Sequence, residues 1–483
     1  MMNKNIEKPK LERSGEYTWD IPTSYKKGMK VPGRIYASEE LVKQMDATVF
    51  DQLSNVACLP GIQNHAFCMP DAHSGYGFPI GGVAAFDPEK GIISPGGIGF
   101  DINCGMRLVT TNLTYKDVKD KLHKLVDLLF ERVPSGVGCT GFVKLARGGF
   151  KTVMEEGSKW CVDNGYGWKE DLERTEDGGC FSNADSSKVS DKAIGRGLNQ
   201  LGTLGSGNHY LEIQRASDIA DEKTAEKLGI YQKDQICVMI HCGSRGFGHQ
   251  IGTDYLKKFT DVMSKYSLSV KDPELACAPF NSKEGQDYFA AMSCAANTAF
   301  ANRQVILHQV REAFSKVFEK SAEKLDMNLV YDVAHNTAKL EEHNGRKLIV
   351  HRKGATRAFG PGRKELAPLF RKIGQPVILG GSMETGSYLL LGTEGAMEQT
   401  FGSTAHGSGR TMSRTQARRE VKGQELQKEM EQHGIYVRTS SYSGLAEEAG
   451  KAYKPISEVV DVLHKSGISK KLVAFKPIGN VKG

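Results

Sequence analysis

Side chains that could share one metal site are spread over much of this 483-residue chain, from residue 101 to residue 406. Cys104 follows Asp101 by three residues on a loop rich in glycine, and a thiol and a carboxylate at this spacing can bind the same ion. Four histidines lie in similar loops of small residues: His209, His241, His335 and His406. A domain boundary between any of them would divide the site, so we expect residues 1–483 to form one large catalytic domain.

The composition is that of an ordinary globular protein. Hydrophobic residues make up 39% of the chain and charged residues 25%, while 54 glycines indicate many tight loops. The formal net charge of +7 suits a polyanionic partner but is thinly spread over a chain of this length. We find no apolar signal core and no apolar run long enough to span a bilayer. We therefore expect a soluble intracellular protein, cytoplasmic and also nuclear if its source is eukaryotic.

The ten cysteines form neither a Cys-x-x-Cys pair nor a regular framework. This spacing argues against a zinc ribbon and against a disulfide scaffold. We expect most of them to be small buried hydrophobic residues. Only Cys104 stands apart, because its loop also carries a carboxylate.

Three apolar runs predict buried strands, at residues 236–240, 329–333 and 377–379. His241 and His335 fall at the C-terminal ends of the first two runs. In an α/β sheet this end commonly presents ligand-binding residues on the following loop. The placement favours a functional role for both histidines over a role in packing.

Helical spacing of apolar residues predicts helices at residues 116–131, 284–325 and 413–434, the second of them long or broken. The first of these helices places His123 on its polar, solvated face. Residues 163–200 are polar, and we expect a surface segment or a lid there. Together these elements predict an α/β (mixed α+β) fold with central sheets, helices and glycine-rich active-site loops.

The candidate metal ligands outnumber the positions on one tetrahedral ion. A carboxylate, a thiolate and three imidazoles are better used by two neighbouring divalent ions, since a thiolate can bridge. The sequence does not identify the metal. Zinc binds such ligands more tightly than manganese, so the bound ion depends on the geometry of the site and on which metal is available. Any one of these histidines alone is more often a satisfied core or loop residue. Five candidate ligands in comparable loops make metal binding the better interpretation for the group.

His406 stands in a segment that could bind phosphate, residues 406–410 with the sequence HGSGR. Small residues open the backbone to a phosphate, and Arg410 adds a fixed pair of positive donors. A neutral imidazole there could attack phosphorus and form a covalent phosphoramidate. The alternative is a glycine-rich turn in which the histidine only stabilises the turn.

The other glycine-rich loops match no common nucleotide-binding fingerprint, and the P-loop pattern Gly-x-x-x-x-Gly-Lys-Ser/Thr is missing from the sequence. This argues against a P-loop NTPase. Arginines near these loops are then candidates for contacts with an RNA backbone or a nucleotide. They are Arg196, Arg245, Arg352, Arg410 and Arg414.

Five motifs in one order resemble those of the RtcB-type RNA-splicing ligases, and the resemblance runs nearly end to end. They are residues 69–77 (MPDAHSGYG), 96–105 (GGIGFDINCG), 204–209 (LGSGNH), 241–246 (HCGSRG) and 406–410 (HGSGR). The resemblance implies a GTP- and manganese-dependent ligase for RNA splicing and repair. Such an enzyme joins RNA 2′,3′-cyclic phosphate or 3′-phosphate ends to 5′-hydroxyl ends, and its substrates include cleaved tRNA exons.

The resemblance also implies roles for individual residues. Cys104 would bridge two manganese ions, with Asp101 and His209 on one ion and His241 and His335 on the other. His406 would carry a covalent guanylate, which then passes to the RNA 3′-phosphate to give an RNA 3′-pp-5′-G intermediate.

The implied nucleotide contacts include Asn208, which would orient the triphosphate, and Glu212, which would accept two hydrogen bonds from guanine. The remaining implied contacts are Tyr210, Ser382, Ser387, His406, Gly407, Ser408, Gly409, Tyr453 and Lys482. Two positions depart from the family pattern. Ser408 stands where alanine is common, and Glu384 replaces a usual glycine. We expect Glu384 to weaken GTP binding relative to Glu384→Gly, unless its side chain faces solvent.

The family resemblance raises archease as an activating partner and, in eukaryotes, a tRNA-ligase assembly with a DEAD-box helicase. Two other functions remain as alternatives. A binuclear metal-dependent cyclic phosphodiesterase would use the same metals without a guanylate, and the His406 loop argues against it. A non-catalytic RNA-binding scaffold is disfavoured by the complete set of candidate metal ligands.

Overall fold

The computed structural model describes residues 7–483. The strands are β1 (Glu12–Gly15), β2 (Thr18–Ile21), β3 (Gly33–Tyr36), β4 (Ala66–His73), β5 (Ile80–Phe86), β6 (Ile92–Ile93), β7 (Gly105–Thr114), β8 (Tyr210–Ile219), β9 (Gln235–Cys242), β10 (Ala278–Pro279), β11 (Leu329–Ala334), β12 (Asn336–His343), β13 (Arg346–Lys353), β14 (Ala355–Arg357), β15 (Pro376–Gly380), β16 (Ser387–Gly392), β17 (Ser403–Ala405), β18 (Tyr436–Thr439) and β19 (Ser469–Lys482).

The α-helices are α1 (Glu39–Gln44), α2 (Ala47–Val56), α3 (Tyr115–Val118), α4 (Leu122–Arg132), α5 (Arg147–Glu156), α6 (Ser158–Asp163), α7 (Lys169–Glu173), α8 (Asp191–Gly197), α9 (Glu222–Lys227), α10 (Arg245–Lys265), α11 (Lys283–Phe318), α12 (Pro368–Ile373), α13 (Glu394–Gln399), α14 (Arg414–Glu420), α15 (Gly423–Gln432), α16 (Tyr442–Glu447) and α17 (Ile456–Lys465). Short 3-10 turns lie at Pro95–Gly97, Lys119–Lys121, Glu176–Gly179, Ser186–Lys188, Pro273–Leu275 and Gly450–Ala452. No described helix in residues 7–483 has the length and apolar character needed to cross a membrane.

A seven-stranded sheet has the order β1-β2-β3-β4-β5-β13-β12. Its neighbours are antiparallel except for β3 and β4, which run parallel. The middle strands carry small and apolar residues that are buried, as expected for a sheet covered on both faces. This sheet supplies Asp71 from β4 and Lys353 from the end of β13.

An eight-stranded sheet has the order β11-β7-β9-β8-β19-β16-β15, with β18 pairing in parallel beside β19. Strands β11, β7, β9 and β8 are antiparallel neighbours. The starts of β7 and β8 therefore meet the ends of β9 and β11 at the same edge of the sheet. That edge is where the predicted metal ligands lie.

Helix α11 supports this sheet from beneath the predicted metal ligands. Ser282 caps its N-terminus by accepting a hydrogen bond from the Gly285 amide at 3.1 Å. Small residues let the helix pack closely, and most of its length is buried. From its buried face Arg303 donates to both oxygens of Asp332 on β11, and Arg107 of β7 donates to the same carboxylate.

The predicted fold class is confirmed: the protein has a mixed α/β architecture with central sheets. The three predicted strands correspond to β9, β11 and β15, and the long helix to α11. All ten cysteines are free, and seven of them are buried.

Two predicted helices are broken in the structure. The helix expected at 116–131 is divided into α3 and α4 by a 3-10 turn. The helix expected at 413–434 is divided into α14 and α15, because Val421 and Lys422 take extended backbone conformations. His123 is exposed as expected, and its ring also stacks on Tyr436 with centroids 3.9 Å apart.

Residues 163–200, expected as a polar surface segment or lid, are mostly exposed or half-buried, but some of their carboxylates are buried. Asp171 is buried and pairs with Arg311 of α11 at 2.7 Å. Glu176 is also buried, and its carboxylate accepts hydrogen bonds from the Ala334 amide and the Lys339 ammonium. Polar composition did not reveal these two residues, because they pair with buried cations rather than with water.

Candidate active site

The predicted metal ligands are brought together by the four antiparallel strands at one sheet edge. Cys104 immediately precedes β7, and His209 immediately precedes β8. His241 lies at the end of β9, and His335 follows the end of β11. Pairing of Met106 with His241, and of His241 with Tyr210, fixes these ends beside one another.

The ligand atoms form a continuous chain of short contacts. Cys104 Sγ lies 3.3 Å from His209 Nε2 and 3.2 Å from His241 Nε2. His241 Nε2 lies 3.2 Å from His335 Nε2, and His209 Nε2 lies 2.8 Å from Asp101 Oδ2. Cys104 is thus central, with Asp101 and His335 at opposite ends of the chain.

The imidazole orientations fit a metal site. His209 Nδ1 donates to the Leu204 carbonyl at 3.0 Å, and His241 Nδ1 donates to the Asn208 carbonyl at 3.0 Å. A histidine that donates from Nδ1 presents the Nε2 lone pair, which is the usual arrangement around a protein-bound metal. Together with Cys104, Asp101 and Nε2 of His335, these two nitrogens form a donor set that suits divalent transition metals.

Burial and mutual charge shift the pKa values of these groups. Burial, together with the charge of Asp101, raises the pKa of the Cys104 thiol to about 11. Burial would also raise the pKa of Asp101, but the charges of His209 and Arg245 outweigh it and hold the pKa below its ordinary value. Burial lowers the pKa values of His241 and His335, which keeps both imidazoles neutral. A divalent ion would deprotonate the thiol outright.

Arg303 of α11 braces the loops that carry the ligands. Its Nη1 donates to the carbonyls of Asn103 and Cys242, each at 2.8 Å. These two residues adjoin Cys104 and His241 in the sequence. Asn103 takes a left-handed backbone conformation with φ of 56°, and its side chain donates to the Ala296 carbonyl at 2.8 Å. The buried ion pairs of α11 therefore position the ligand loops.

His406 is oriented by a buried carboxylate. Its Nδ1 donates to Asp71 Oδ2 at 2.6 Å, and the same oxygen accepts hydrogen bonds from the His406 and Gly407 amides. The Nε2 atom is consequently left for chemistry. The His406 ring lies 4.9 Å from the ring of His335, measured between centroids, so this nitrogen stands beside the predicted metal ligands.

Lys454 holds the Asp71 segment in place. Its Nζ donates to the carbonyls of Pro70 and Ala72 at 3.0 and 2.6 Å, and its amide donates to the Gly409 carbonyl. Burial lowers the pKa of Lys454 to about 8. Burial would raise the pKa of Asp71, but the nearby His406 and Lys454 lower it below its ordinary value.

A cavity of about 670 Å³ lies between the two large sheets and is open to solvent. Arg410, Arg414 and most of the predicted site residues line it. Those residues are Asp101, Cys104, Asn208, Tyr210, His241, His335, Ser382, His406, Gly407, Ser408, Gly409, Tyr453 and Lys482. The cavity thus joins the predicted metal ligands, the predicted nucleophile and most predicted nucleotide contacts in one space.

Glu212 and Ser387 lie outside the cavity wall. Both are buried, and Gln214 donates to each of them. Asn480 also donates to Glu212 Oε1 at 2.6 Å. Tyr210 lines the cavity next to them, with its hydroxyl 3.5 Å from Met239 Sδ.

The candidate arginines differ in whether their guanidinium groups are already bonded within the protein or exposed to solvent. Arg410 is committed within the protein, since it donates to Glu448, Tyr453 and two backbone carbonyls. Arg352, on β13, is buried and donates to both oxygens of Glu341, which corrects its interpretation as a surface contact. Arg245 Nη1 lies 3.0 Å from His209 Nδ1. Arg196 and Arg414 are exposed.

Comparison with known proteins agrees with this geometry. The family model described as "tRNA-splicing ligase RtcB" matches residues 52–483. A tRNA-splicing ligase RtcB from Archaeoglobus fulgidus is 53% identical over 477 residues, which cover 98% of this chain and 99% of the relative. The namesake from Methanococcus maripaludis is 52% identical over 480 residues, covering 99% of this chain and 100% of the relative. The chain belongs to the RtcB family. The predicted family, and with it the prediction of an RNA-ligase enzyme, is confirmed.

Relative to the RtcB pattern, Glu384 is the notable departure, and the structure places its side chain outside the cavity. Glu384 is exposed, and its carboxylate accepts a hydrogen bond from the Gly450 amide. Its own amide donates to Ser382 Oγ at 3.3 Å. Because the Glu384 side chain faces solvent, we no longer expect it to weaken GTP binding. Its hydrogen bond to the Gly450 amide connects two loops at the cavity rim. Ser408, the second departure, is buried at the cavity wall.

Two residues of this RtcB-family cavity escaped the sequence reasoning. Asp71 was visible only as one residue of the motif at 69–77, and no sequence pattern singled out Lys353. Lys353 lines the cavity, where burial lowers its pKa to about 7 and its Nζ donates to the Tyr76 and Gly96 carbonyls. A charged residue inside a strand of small apolar residues was the available signal for Asp71.

Proposed function

We propose that this protein is a GTP- and manganese-dependent RNA ligase that joins 2′,3′-cyclic phosphate or 3′-phosphate ends to 5′-hydroxyl ends. Its substrates would include cleaved tRNA exons, in keeping with the names of its relatives. The observation that carries the proposal is the pairing of His406 Nδ1 with buried Asp71, which directs Nε2 toward the predicted metal ligands.

Cys104 would bridge two manganese ions, with Asp101 and His209 on one and His241 and His335 on the other. The contacts of 2.8 to 3.3 Å along this chain support the assignment. Bound divalent ions would neutralise charge that develops on phosphate oxygens.

His406 would act as the nucleophile of the first transfer. Its Nε2 forms a bond to the α-phosphorus of GTP, and pyrophosphate leaves with the electrons of the broken bond. Asp71 holds the ring through Nδ1 and stabilises the positive charge that develops on the imidazole, as a buried carboxylate does for other nucleophile pairs.

The guanylate would then move to RNA. After the cyclic phosphate is opened by water, an oxygen of the 3′-phosphate attacks the guanylate phosphorus and His406 Nε2 leaves. The 5′-hydroxyl attacks the RNA phosphorus of this 3′-pp-5′-G intermediate, and GMP leaves as the new phosphodiester forms. Arg414 lines the cavity and would supply positive charge toward these phosphates, and Lys353 would do so when protonated.

The nucleotide would occupy the part of the cavity lined by the His406 loop, Ser382, Tyr453 and Lys482. Asn208 would orient the triphosphate. Glu212 is buried just outside the cavity wall that includes Tyr210, so a guanine edge would reach it only if neighbouring side chains move. Selectivity for guanine over adenine would follow from the two acceptor oxygens of that carboxylate.

A joining assay tests the proposal. The protein is incubated with GTP, Mn²⁺ and two RNA strands, one ending in a 2′,3′-cyclic phosphate and one beginning with a 5′-hydroxyl. We expect joined RNA from the wild type and none from His406→Ala. Transfer of label from α-³²P-GTP to the wild-type protein alone would identify the nucleophile.

Opening of the cyclic phosphate without joining or labelling would support the binuclear phosphodiesterase instead. Joining that appears only after archease is added would show that the ligase needs an activator. ATP in place of GTP serves as the control for base selectivity.

A further inference from the structure

Three aromatic rings line up at the rim of the cavity. The ring of Phe100 stacks on that of His249 with centroids 5.0 Å apart and an interplanar angle of 26°. Tyr76 also contacts Phe100, edge-on, with centroids 5.2 Å apart and an angle of 62°. We call these three residues the rim platform. Tyr76 and Phe100 both line the cavity, whereas His249 is exposed beside it.

The rim platform is rigidly supported. Phe100 rests against Gly252 of α10, where an added Cβ would lie 3.3 Å from the ring. His249 belongs to the same helix, one turn earlier. The Tyr76 carbonyl accepts a hydrogen bond from Lys353. The rings therefore keep their positions without a ligand, and stacking onto them orders little of the protein.

Two basic side chains lie near the rim platform. Lys353 Nζ lies 5.9 Å from the centroid of the Tyr76 ring, although burial lowers the pKa of Lys353 to about 7. Arg196 is exposed and lies close enough to His249 that its charge adds to burial in lowering the pKa of that imidazole. Aromatic faces between cations are the usual means of binding single-stranded nucleic acid without sequence preference.

The rim platform lies beside the metal-ligand chain, on the side away from His406. Phe100 directly precedes Asp101, which stands at the end of the metal-ligand chain remote from His335 and His406. The guanylate would occupy the side near His406. The nucleotides that adjoin a reacting RNA end must leave the cavity elsewhere, and the open rim at Phe100 lies beside Asp101.

We propose that Tyr76, Phe100 and His249 form a stacking site for the bases of single-stranded RNA that adjoin a reacting end. This inference rests on the proposed function and specifies how its RNA substrate is held. Stacking explains tolerance of sequence, because every base has a π-face.

Substitutions at His249 provide the main test, because this residue is exposed and is not one of the predicted metal ligands. We expect His249→Ala to raise the KM for RNA about tenfold, with kcat and guanylate formation little changed. His249→Phe keeps an aromatic face and should retain the wild-type KM. Phe100→Leu keeps the packing against Gly252 but removes the ring, and should also raise the KM. Tyr231→Ala, at an exposed aromatic residue outside the site, is the matched control.

Binding of labelled strands provides a second test that does not depend on joining. Fluorescence anisotropy would compare the 3′-phosphate strand and the 5′-hydroxyl strand, each with normal or abasic nucleotides next to the end. We expect the wild type to bind one normal strand about tenfold more tightly than its abasic version, and His249→Ala to lose that difference. The affected strand identifies which end uses the rim platform.

Equal binding of normal and abasic strands by the wild type would overturn the inference, even if the protein joins RNA. Equal weakening by His249→Ala and His249→Phe would also overturn it, since the aromatic face would then be irrelevant. Failure to join RNA, with the abasic effect intact, would instead contradict the proposed function and leave the stacking site supported.

Discussion

Which nitrogen of His406 is free depends on a single buried residue, Asp71. The carboxylate occupies Nδ1 and two backbone amides at once, and Lys454 clamps the carbonyls on either side of it. Rotation of the imidazole would break the Nδ1 bond and leave the buried carboxylate without this hydrogen bond. The proposed nucleophile is therefore held in one orientation before any substrate binds.

Asp71→Asn should lower the rate of covalent guanylate formation by on the order of 100-fold, because the amide removes the negative charge that stabilises the imidazolium. The rate is measured by labelling with α-³²P-GTP in single-turnover conditions. Manganese binding should not change, since Asp71 contacts none of the predicted ligands. Labelling at the wild-type rate would show that Asp71 is only a structural residue.

The affinity for GTP should rise with pH through about 7. Burial raises the pKa of Glu212 to about 7, so the carboxylate that would accept hydrogen bonds from guanine is ionised above that pH and protonated below it. Calorimetry with His406→Ala, which prevents covalent transfer, would compare pH 6 with pH 8.

The control for this pH effect is Glu212→Gln in the same background. It should bind GTP weakly at both pH values and show a smaller pH difference. Metal binding also depends on pH, and the comparison at matched pH removes that contribution. An identical pH dependence in both proteins would exclude Glu212 as its source.

Sequence reasoning at the residue scale succeeded where a chemically unusual side chain stands in a loop of small residues. Cys104, His209, His241 and His335 were predicted together and lie together. Asp71 and Lys353 were not predicted, because their roles arise from partners hundreds of residues away. The orientation of the Glu212 carboxylate could not be predicted either, because Asn480, which donates to it, lies on a strand far away in the sequence.

At the scale of secondary-structure elements, the metal-ligand edge relies on α11. Arg303 connects the Asn103 and Cys242 carbonyls to Asp332, so the helix holds three ligand-bearing strands in register. Buried ion pairs of this kind contribute little net stability when intact, but they are costly to break because a charge is left without a partner.

Arg303→Met should lower the free energy of unfolding by about 3 kcal/mol, because Asp332 keeps only Arg107 as its cation. Urea unfolding monitored by circular dichroism measures this loss. Lys364→Met, which removes an exposed pair with Glu342, is the control and should change stability by less than about 0.5 kcal/mol. Equal effects of the two substitutions would contradict a bracing role for Arg303.

Glu384→Gly should weaken GTP binding slightly, by about threefold, rather than strengthen it. The substitution removes the hydrogen bond to the Gly450 amide and loosens the loop that carries Ser382. Glu384→Gln keeps an acceptor and should behave like the wild type in calorimetry. Tighter GTP binding by Glu384→Gly would show that the carboxylate repels the nucleotide after all.

Element prediction was accurate where periodicity and burial agreed, as in β9, β11 and α11. It failed where the pattern was ambiguous. The polar segment from 413 to 434 carries mostly helix-forming residues, and the only signals for the break were β-branched Val421 and Gly423. In segment 163–200 the acidic residues resembled solvated ones, although Asp171 and Glu176 pair with cations supplied by distant elements.

At the scale of the whole molecule, metal binding should stabilise the fold without being required for it. The hydrophobic clusters of the two sheets do not depend on the ligand edge. A ligand present at 100 times its Kd adds about 2.7 kcal/mol to the stability. We expect removal of Mn²⁺ with a chelator to lower Tm by a few degrees in thermal scans while circular dichroism at 25 °C stays unchanged.

Cys104→Ser should abolish most of this Mn²⁺-dependent change in Tm, because the bridging thiolate is lost. Cys237→Ser, a matched substitution at another buried thiol, should retain the Mn²⁺-dependent change in Tm. If chelation unfolds the protein, the metals hold the fold together and the cores alone are insufficient.

The order in which the protein is synthesised does not match the order in which its central sheet is built. Strand β19 comprises residues 469–482, yet it lies between β8 and β16 and places Lys482 in the cavity. While the ribosome has still to deliver this strand, β8 and β16 have no shared neighbour and the cavity wall is incomplete. The cavity wall is therefore completed late in synthesis, when β19 enters between two strands that precede it in the chain.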